Sequence, residues 1–312
     1  MARSPDHMAF HSGFVSIIGR PNAGKSTLLN ALVGEKVAIV THKPQTTRNR
    51  IQGFVNVKGG GGRPPGQIVF IDTPGVHKPD SPLGRRMMRE VHDALEERDL
   101  VMLIVDATQK FGAGDEFVLD LLKRITSPVF LLLNKIDAVE KPKLLEIIDR
   151  YRQLREFREI IPISAIKKQG LKDLIDLVIK ILPEGPRFFP QDQITDQPER
   201  VMVAEIVRER VLIETGQEVP YAAAVKIERF EAGEKLTRIA AAIYCERQGQ
   251  KAILIGKGGS MLKKIGSSAR SQIERFLGTK VFLELFVKVR ENWRNSEAAL
   301  DDLDWRQEPA GH

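Results

Sequence analysis

Short apolar runs alternate with longer polar or amphipathic stretches through the first 182 residues of the chain. Such runs are typical of β-strands covered on both faces, because a fully buried strand has no polar side. Helical stretches, including residues 26–32 and 117–124, lie between them, and this alternation predicts a mostly parallel sheet with helices on both faces. The predicted strands are residues 14–18, 51–57, 67–71, 100–105, 129–133 and 160–163.

The pattern changes near residue 200. Residues 183–200 contain several prolines and end the preceding helix, which is typical of a domain linker. A helical stretch, two strand-like runs, a glycine-rich loop, a second helical stretch and a last strand follow, so a smaller α+β domain is expected. Those elements are predicted at residues 204–213, 221–230, 236–245, 261–277 and 281–289.

Composition allows two cores but does not specify a partner. The chain has 312 residues, 42% of them apolar, and a net charge of +7, which permits a polyanion partner without demonstrating one. No apolar run reaches the length of a membrane span, and residues 1–13 lack the apolar segment of a secretory signal. The single cysteine, Cys245, excludes a disulfide within the chain and fits a reducing cytoplasm.

Residues 19–26 match the phosphate-binding pattern G-x-x-x-x-G-K-[ST] at every fixed position, between a predicted strand and a predicted helix. The loop N–H groups can surround a phosphate, Lys25 can reach the β- and γ-phosphates, and the Ser26 hydroxyl can bind Mg²⁺. This predicts a nucleoside triphosphate site without specifying the base. The predicted nucleotide contacts here are Gly19, Arg20, Pro21, Asn22, Ala23, Gly24, Lys25, Ser26 and Thr27.

A second motif, Asp72-Thr73-Pro74-Gly75, begins where an apolar strand ends. A carboxylate at that edge of the sheet can hold Mg²⁺ through water, and the N–H of Gly75 can reach a γ-phosphate. In the polar loop after the first helix, the hydroxyl of Thr46 or of Thr47 is a candidate to complete the Mg²⁺ shell.

A third motif follows the strand at 129–133. The carboxylate of Asp137 can accept two hydrogen bonds from the N1–H and N2–H₂ edge of guanine, and adenine cannot donate that pair, so GTP is predicted. Asn134 can bond the base and brace the loops, while the Lys135 stem can cover the ring. After the last strand, Ser164-Ala165 offers the backbone N–H of Ala165 to guanine O6.

Residues 256–259, Gly-Lys-Gly-Gly, fit the G-x-x-G loop of a KH domain, a loop that sits between two helices. The expected order helix, two strands, helix, loop, helix, strand suggests type II. Residues 251–275 carry six Lys or Arg and one acid, Glu274, as a surface that follows phosphates requires. The expected ligand is therefore single-stranded RNA. The predicted RNA contacts are Gly256, Lys257, Gly258, Gly259, Lys263, Lys264 and Arg270.

The phosphate loop, the Pro-Gln-Thr-Thr-Arg-Asn-Arg stretch at 44–50 and the linker together resemble the Era family of TRAFAC GTPases. The resemblance implies that Thr47 is the Mg²⁺-binding threonine. Val76 occupies the position where many GTPases carry a glutamine that orients water, which implies slow hydrolysis. For Asn22 the resemblance leaves two roles open, namely coordination of K⁺ or stabilisation of the loop turn. The implied catalytic positions are Asn22, Lys25, Thr47 and Gly75.

The resemblance also implies a function. The chain would be a monomeric GTP/GDP switch that uses Mg²⁺, with K⁺ as a further candidate. It would bind the 3′ end of 16S rRNA during 30S subunit biogenesis, in the cytoplasm with loose peripheral association with the inner membrane. Two alternatives stay open: an RNA chaperone in which GTP only sets RNA affinity, and an RNA-modification GTPase. The latter would need a residue such as a reactive cysteine, and Cys245 lies in a predicted KH strand.

Domain boundaries follow from these motifs. We expect an N-terminal extension at 1–13, a G domain at 14–182, a linker at 183–200, a type II KH domain at 201–290 and an acidic tail at 291–312. Residues 38–50 and 73–90 are the expected switch segments. The glycine- and proline-rich stretch at 59–66 is expected to be a flexible hairpin tip, and Trp293 is expected to pack on the KH domain while Trp305 lies further along the tail.

Overall fold

A computed structural model describes residues 9–96, 98–216, 219 and 223–303. The chain divides into two compact units. The first contains the residues up to Ala38, Thr47–Lys78 and Met87–Asp196, and the second contains Ile39–Thr46, Pro79–Arg86 and the residues from Gln197 onward. Two short segments from the first half of the sequence therefore belong to the second unit.

The first unit is built on a sheet of the strands β1 His11–Ile18, β2 Ile51–Val57, β3 Gly66–Asp72, β4 Leu100–Asp106, β5 Val129–Asn134 and β6 Glu159–Pro162. These described strands run in the order β2-β3-β1-β4-β5-β6. Only β2 is antiparallel to its neighbour; the other pairings are parallel, so the predicted α/β sheet is confirmed. The first strand begins three residues before the predicted start, which places His11, Ser12 and Gly13 in the sheet.

Apolar side chains cover both faces of this sheet. Buried residues of α1 and α5 pack on one face, and residues of α2, α3 and α4 pack on the other. The inner strands β1, β3, β4 and β5 therefore bury both sets of alternating side chains, which explains why their sequences are apolar runs. The edge strands β2 and β6 are only partly buried. The helices are α1 Lys25–Val33, α2 Pro82–Leu95, α3 Ala113–Leu122, α4 Lys141–Leu154 and α5 Leu171–Ile181.

The glycine-rich stretch forms a tight turn at the tip of the β2–β3 hairpin. The backbone N–H of Gly60 donates to the Arg63 carbonyl at 3.0 Å, and the Arg63 N–H donates back at 3.2 Å. Glycines are needed because Gly60, Gly61 and Gly62 all have positive φ angles. The Arg63 guanidinium also pairs with Asp176 of α5 at 2.7 Å, so this tip is anchored rather than free.

The first half of the predicted linker packs against the first unit. The rings of Phe189 and Phe54 stack with centroids 3.9 Å apart. The Gln67 side-chain oxygen accepts the backbone N–H groups of Phe188 and Phe189 at 2.9 and 3.0 Å. Proline-rich chain without regular structure thus satisfies some of its backbone groups on a side chain of β3.

The second unit contains a sheet in the order β7-β8-β9, with β7 antiparallel and β9 parallel to β8. The order helix, two strands, helix, loop, helix, strand confirms the predicted α+β KH arrangement. The strands are β7 Ala224–Glu231, β8 Leu236–Cys245 and β9 Lys280–Val289, and the helices are α6 Glu199–Glu214, α7 Gln248–Ile255, α8 Ser260–Leu277 and α9 Glu297–Asp302.

The helices of the second unit bury one face of this sheet. Val207 of α6, Ile239 of β8 and Ile273 of α8 are fully enclosed in the same cluster, and so is the thiol of Cys245. Burial raises the pKa of that thiol above its ordinary value. Trp293 is also buried, at 2% exposure, whereas Trp305 lies outside the described residues. Within the described part of the chain, no helix has both the length and the apolar character to cross a membrane.

Candidate functional site

The phosphate-binding loop connects β1 to α1. The buried amine of Lys25 donates to the carbonyl oxygens of Gly19 and Arg20, both at 3.1 Å. Burial lowers the pKa of Lys25 to about 8, while the nearby Asp72 carboxylate opposes that shift. A side chain at Gly24 is excluded, since a Cβ there would lie 2.3 Å from the side-chain nitrogen of Asn134. The loop therefore holds the positively charged amine of Lys25 among its own carbonyl oxygens.

Three of the predicted magnesium ligands converge at the end of β3. The Ser26 hydroxyl lies 2.5 Å from Asp72 Oδ2 and 2.8 Å from the Thr47 hydroxyl. Thr47 Oγ1 is 3.5 Å from the same carboxylate oxygen. Asp72 is fully buried, which raises the pKa of its carboxyl to about 6 despite the opposing charge of Lys25.

The donor set suits Mg²⁺. Hydroxyl and carboxylate oxygens are the hard ligands that this ion prefers. Within the described residues, the second carboxylate oxygen of Asp72, Oδ1, is buried and has no hydrogen-bond partner. A buried oxygen without a partner carries an uncompensated desolvation cost unless a cation or a water binds to it. This atom is the structural observation that fits a metal at this position.

The structure separates the two threonines between which the loop sequence alone did not choose. Thr47 reaches Ser26 and Asp72, as described above. The Thr46 hydroxyl instead donates to the Lys43 carbonyl at 2.6 Å and lies 2.7 Å from the Thr41 hydroxyl. Thr46 is therefore engaged in its own loop, and only Thr47 is near the other candidate magnesium ligands.

The residues after β3 are held by backbone contacts. A Cβ at Gly75 would lie 2.8 Å from Pro21 Cα, so the loop can approach this closely only because the residue is glycine. The Thr73 hydroxyl is buried and donates to the Ile17 carbonyl at 2.8 Å, which makes its role structural here. Val76 is 1% exposed and its N–H donates to the Gly19 carbonyl at 3.0 Å. Its side chain lies in the core and is not available to water.

Asn134 joins two loops of the candidate base site. Its side-chain nitrogen donates to the Ala23 carbonyl at 2.8 Å, and its oxygen accepts the Ala165 N–H at 3.0 Å. The Asp137 carboxylate is exposed and accepts the Ser164 hydroxyl at 2.5 Å. The predicted guanine contacts are thus brought together, and Ser164 orients the carboxylate rather than facing solvent itself.

Lys135 has two partners, one of which sequence reasoning missed. Its amine donates to the Asn22 carbonyl at 3.0 Å and to Asp106 at 2.6 Å. Asp106 ends β4, at the same edge of the sheet as the other motifs, and this position was the available signal. Asn22 itself has a φ angle of 62°, in the left-handed region that asparagine tolerates better than most residues.

A second missed contact holds the phosphate-binding loop from outside. The Arg20 guanidinium pairs with Asp115 of α3 at 2.8 Å, and Asp115 also accepts the Tyr151 hydroxyl of α4 at 3.1 Å. Burial and the Asp115 charge raise the pKa of Tyr151, so this hydroxyl stays protonated. A Cβ at Gly114 would lie 2.8 Å from Arg20 Nε, so a larger residue there would displace the Arg20 side chain.

The candidate RNA surface lies in the second unit, where the Gly-Lys-Gly-Gly loop connects α7 to α8. Gly256 has a φ of 71°, and a Cβ there would lie 2.8 Å from the Met261 nitrogen. A groove of about 320 Å³ lies beside the loop, between α8 and β9. Its lining residues are Gly259, Leu262, Lys263, Gly266, Ser267, Arg270, Leu283 and Leu285.

Two of the three predicted basic contacts on α8 line this groove, namely Lys263 and Arg270. Lys264 is directed elsewhere, since its amine pairs with Glu214 of α6 at 2.6 Å. A basic rim over an apolar floor suits a strand whose phosphates and bases are both exposed.

Comparison with known families separates the same two parts of the chain. A family described as "50S ribosome-binding GTPase" matches residues 14–135, and a family described as "KH domain" matches residues 218–294. The first match contains the phosphate loop and reaches Lys135. The second contains the Gly-Lys-Gly-Gly loop and its flanking helices.

Relatives are similar over almost the whole chain. It is 53% identical over 298 residues to GTPase Era of Geobacter metallireducens, covering 95% of this chain and 98% of that protein. It is 49% identical over 300 residues to GTPase Era of Ruminiclostridium cellulolyticum, covering 96% and 99%.

Two solved structures agree with this. The fold is similar to that of Era in complex with MgGDPNP and nucleotides 1506–1542 of 16S ribosomal RNA, with a TM-score of 0.90, 40% identity and coverage of 94% and 98%. It is also similar to a variant of Aquifex aeolicus Era bound to GDP·AlF4⁻, with a TM-score of 0.89, 39% identity and coverage of 94% and 99%.

Proposed function

This chain belongs to the Era family of GTPases, and on that basis we propose that it is a slow GTP-hydrolysing switch that binds ribosomal RNA. The reaction is attack of water on the γ-phosphate of GTP, which gives GDP and phosphate without a covalent intermediate. The observation that carries the proposal is the convergence of Ser26, Thr47 and Asp72 beside the buried amine of Lys25. That arrangement supports a metal site and a phosphate site in one place.

Each residue has a distinct task in this proposal. Ser26 and Thr47 would hold Mg²⁺ through their hydroxyls, and Asp72 through its carboxylate. When bound, Mg²⁺ supplies positive charge against the β- and γ-phosphate oxygens. Lys25 places a second positive charge at the same phosphates, and the Gly75 N–H donates to the γ-phosphate. The remaining predicted contacts, Arg20, Pro21, Ala23, Thr27, Thr73 and Pro74, shape the loops around them.

The slow rate follows from Val76. A general way to speed GTP hydrolysis is a side chain that orients the attacking water. The Val76 side chain is buried and apolar, so the water is positioned by backbone groups alone among the residues of this motif. Such an arrangement suits a switch whose state has to last.

Asn22 keeps two candidate roles. Its positive φ angle supports stabilisation of the turn. Its position in the phosphate loop supports coordination of K⁺, which would add positive charge near the bond that breaks. The hydrolysis rate in KCl and in NaCl distinguishes them, because equal rates contradict the K⁺ role.

Specificity for guanine is assigned to Asp137, with Asn134, Lys135 and Ala165 completing the base site. The Ser164 hydroxyl holds the Asp137 carboxylate at one oxygen. The second oxygen and the free lone pairs can then accept the two N–H groups of guanine.

The RNA ligand is proposed from the groove and from a relative. A similar structure is that of Era with nucleotides 1506–1542 of 16S ribosomal RNA. The groove beside Gly256–Gly259, with Lys257, Lys263 and Arg270, suits single-stranded RNA. We therefore assign the 3′ end of 16S rRNA as the ligand and 30S subunit biogenesis as the process. The proposal includes a monomer in the cytoplasm with peripheral inner-membrane association, on family resemblance alone.

Crosslinking and sequencing of bound RNA, with and without a non-hydrolysable GTP analogue, tests this function. The expected result is enrichment of the 16S 3′ end, with a yield that depends on the analogue. Enrichment of unrelated RNA would overturn the assignment. The variant Lys25→Ala separates the RNA-chaperone alternative: if hydrolysis is lost while RNA affinity and subunit assembly persist, the chain is chiefly a binding module.

A further inference from the structure

Two adjacent charged residues on α6, Arg208 and Glu209, are almost fully buried, at 3% and 2% exposure. Buried charges are rare and are retained only where each has a partner. Here Arg208 pairs with Glu205, and Glu209 pairs with Arg210. Arg208 and Glu209 also bond backbone groups of Ile39–Thr46, the loop segment that belongs to the second unit. We call this segment the inserted loop.

The two charges hold opposite ends of the inserted loop. A carboxylate oxygen of Glu209 accepts the Val40 N–H at 3.0 Å near its start. The Arg208 guanidinium donates to the Thr46 carbonyl at its end. These hydrogen bonds involve charged groups, which makes them roughly twice as strong as neutral ones.

The Arg208 guanidinium is fixed by a second contact. Its Nε and Nη2 atoms donate to the two carboxylate oxygens of Glu205 at 2.8 and 2.5 Å. Such a two-pronged pair sets the plane of the guanidinium. Arg208 is therefore a rigid donor aimed at one carbonyl.

The inserted loop is also connected within itself. The Lys43 N–H donates to the Thr41 hydroxyl at 3.0 Å, and the hydroxyls of Thr41 and Thr46 lie 2.7 Å apart. The Thr46 hydroxyl in turn donates to the Lys43 carbonyl at 2.6 Å. These bonds cross-link the loop between Thr41 and Thr46.

The Thr46 carbonyl belongs to the peptide group that precedes Thr47. Because a peptide group is planar, a donor that fixes its oxygen also restricts the Cα atom of the next residue. Thr47 is the residue whose hydroxyl lies beside Ser26 and Asp72. We propose that Arg208 is a positioning residue that sets Thr47 for the Mg²⁺–GTP state, an inference that rests on the role of Thr47 in the proposed function.

The inference predicts a selective effect on the triphosphate. In GTPase switches, the γ-phosphate and its metal order this loop, and hydrolysis releases it. Loss of the Arg208 donor should therefore weaken binding of a non-hydrolysable GTP analogue by about tenfold, the effect of one charged hydrogen bond. GDP affinity should stay within about twofold of wild type, since that state does not depend on the γ-phosphate.

The experiment measures both affinities, in Mg²⁺ buffer, for the full-length chain carrying Arg208→Met. Arg294→Met is the matched control, because it removes an arginine–carboxylate pair of the second unit, Arg294 with Glu246 at 2.6 Å. Equal losses for both nucleotides, or no loss, would overturn the proposal. If Arg208→Met does not fold, Glu205→Gln replaces it, and a smaller triphosphate-selective loss is expected because the guanidinium loses its fixed plane.

A double-mutant cycle tests whether Arg208 acts through Thr47. The variant Thr47→Ala alone should lower the affinity for the GTP analogue, and adding Arg208→Met should lower that affinity no further. Additive losses would contradict the inference. If Thr47→Ala itself leaves the analogue affinity unchanged, the proposed role of Thr47 fails first, and the positioning role fails with it. If only Thr47→Ala has an effect, the proposed function stands and the positioning role alone is rejected.

Discussion

The side-chain oxygen of Asn134 accepts the backbone N–H of Ala165 at 3.0 Å, which ties the end of β5 to the loop after β6. The nitrogen of the same carboxamide donates to the Ala23 carbonyl in the phosphate loop at 2.8 Å. Asn134 is 2% exposed, so both hydrogen bonds are shielded from water. One side chain therefore connects the loops proposed to hold the base and the phosphates.

Replacing this side chain should weaken both GDP and GTP binding. Asn134→Ala leaves a buried carbonyl and a buried N–H without partners, at a cost of about 1–3 kcal/mol for each group. We expect nucleotide affinity to fall by at least about tenfold. Titration with a fluorescent GDP analogue measures this, and an affinity equal to wild type would show that the loops hold their positions without Asn134.

Replacing Asp137 should change which base the nucleotide site prefers. Xanthine carries a carbonyl where guanine carries its amino group, so Asp137→Asn presents an N–H donor to the right partner. We expect GTP affinity to fall and xanthosine triphosphate affinity to rise, each by about a hundredfold. Competition between the two nucleotides measures the change. An unaltered preference for GTP would mean that another group reads this edge of the base.

The buried carboxyl of Asp72 should make metal-free stability depend on pH. Its pKa is raised from 3.8 to about 6, so the folded state holds this proton more tightly than the unfolded state. The stabilisation is complete below the lower value and is lost as pH rises through the higher one, by about 3 kcal/mol. Asp72→Asn removes this titration.

Thermal melts in EDTA at about pH 4.5 and about pH 6.5 check this. The melting temperature of Asp72→Asn relative to wild type should be higher at the second pH. Added Mg²⁺ and GDP should raise the melting temperature of the wild type more than that of the variant. A difference between the proteins that does not change with pH would contradict the raised pKa.

Introducing a glutamine at position 76 should not accelerate GTP hydrolysis. Val76 is enclosed among core side chains, so Val76→Gln buries a carboxamide and costs about 1–3 kcal/mol of stability. Single-turnover hydrolysis and thermal melts measure the two effects separately. A faster reaction in a stable variant would mean that this side chain can leave the core.

The three predicted RNA contacts on α8, Lys263, Lys264 and Arg270, should differ in their effect on RNA binding. Lys263 and Arg270 line the groove, so replacing either by alanine should lower the affinity for RNA by a similar factor for all sequences. The slope of log affinity against log salt concentration should fall in magnitude by about 1. Lys264→Ala is the matched control, because that amine pairs with Glu214. Equal losses for all three variants would place the RNA over a wider face of the helix than the groove.

Strand positions were predictable because burial on both faces leaves an apolar run that ends where the sheet ends. For example, β4 exceeds its prediction by Asp106 alone and β5 by Asn134 alone. Helix bounds were less predictable. The helix α6 begins at Glu199, directly after Pro198, whereas its predicted start is Ala204. Val201, Met202 and Val203 are buried at its start, so the apolar residues continue ahead of Ala204, and Pro198 is the better sequence mark of the helix start.

The site motifs could be assembled from sequence because each follows a strand of one parallel sheet, whose carboxyl ends meet at one edge. Contacts between side chains distant in sequence could not. Neither the Arg20–Asp115–Tyr151 contacts nor the Arg208–Thr46 hydrogen bond has a local pattern, because each depends on how two elements pack. The adjacent residues Lys263 and Lys264 point in different directions from α8. Which of them lines the groove depends on how α8 packs, and the sequence does not show this.

The enclosed thiol of Cys245 makes the wild-type chain a nearly silent background for chemical labelling. Its exposure is 0% and its pKa is raised, so the reactive thiolate is scarce at neutral pH. Cysteines introduced at exposed positions would therefore react with maleimide dyes without prior removal of a native one. Paired dyes placed in this way could follow the inserted loop through successive nucleotide states in single molecules.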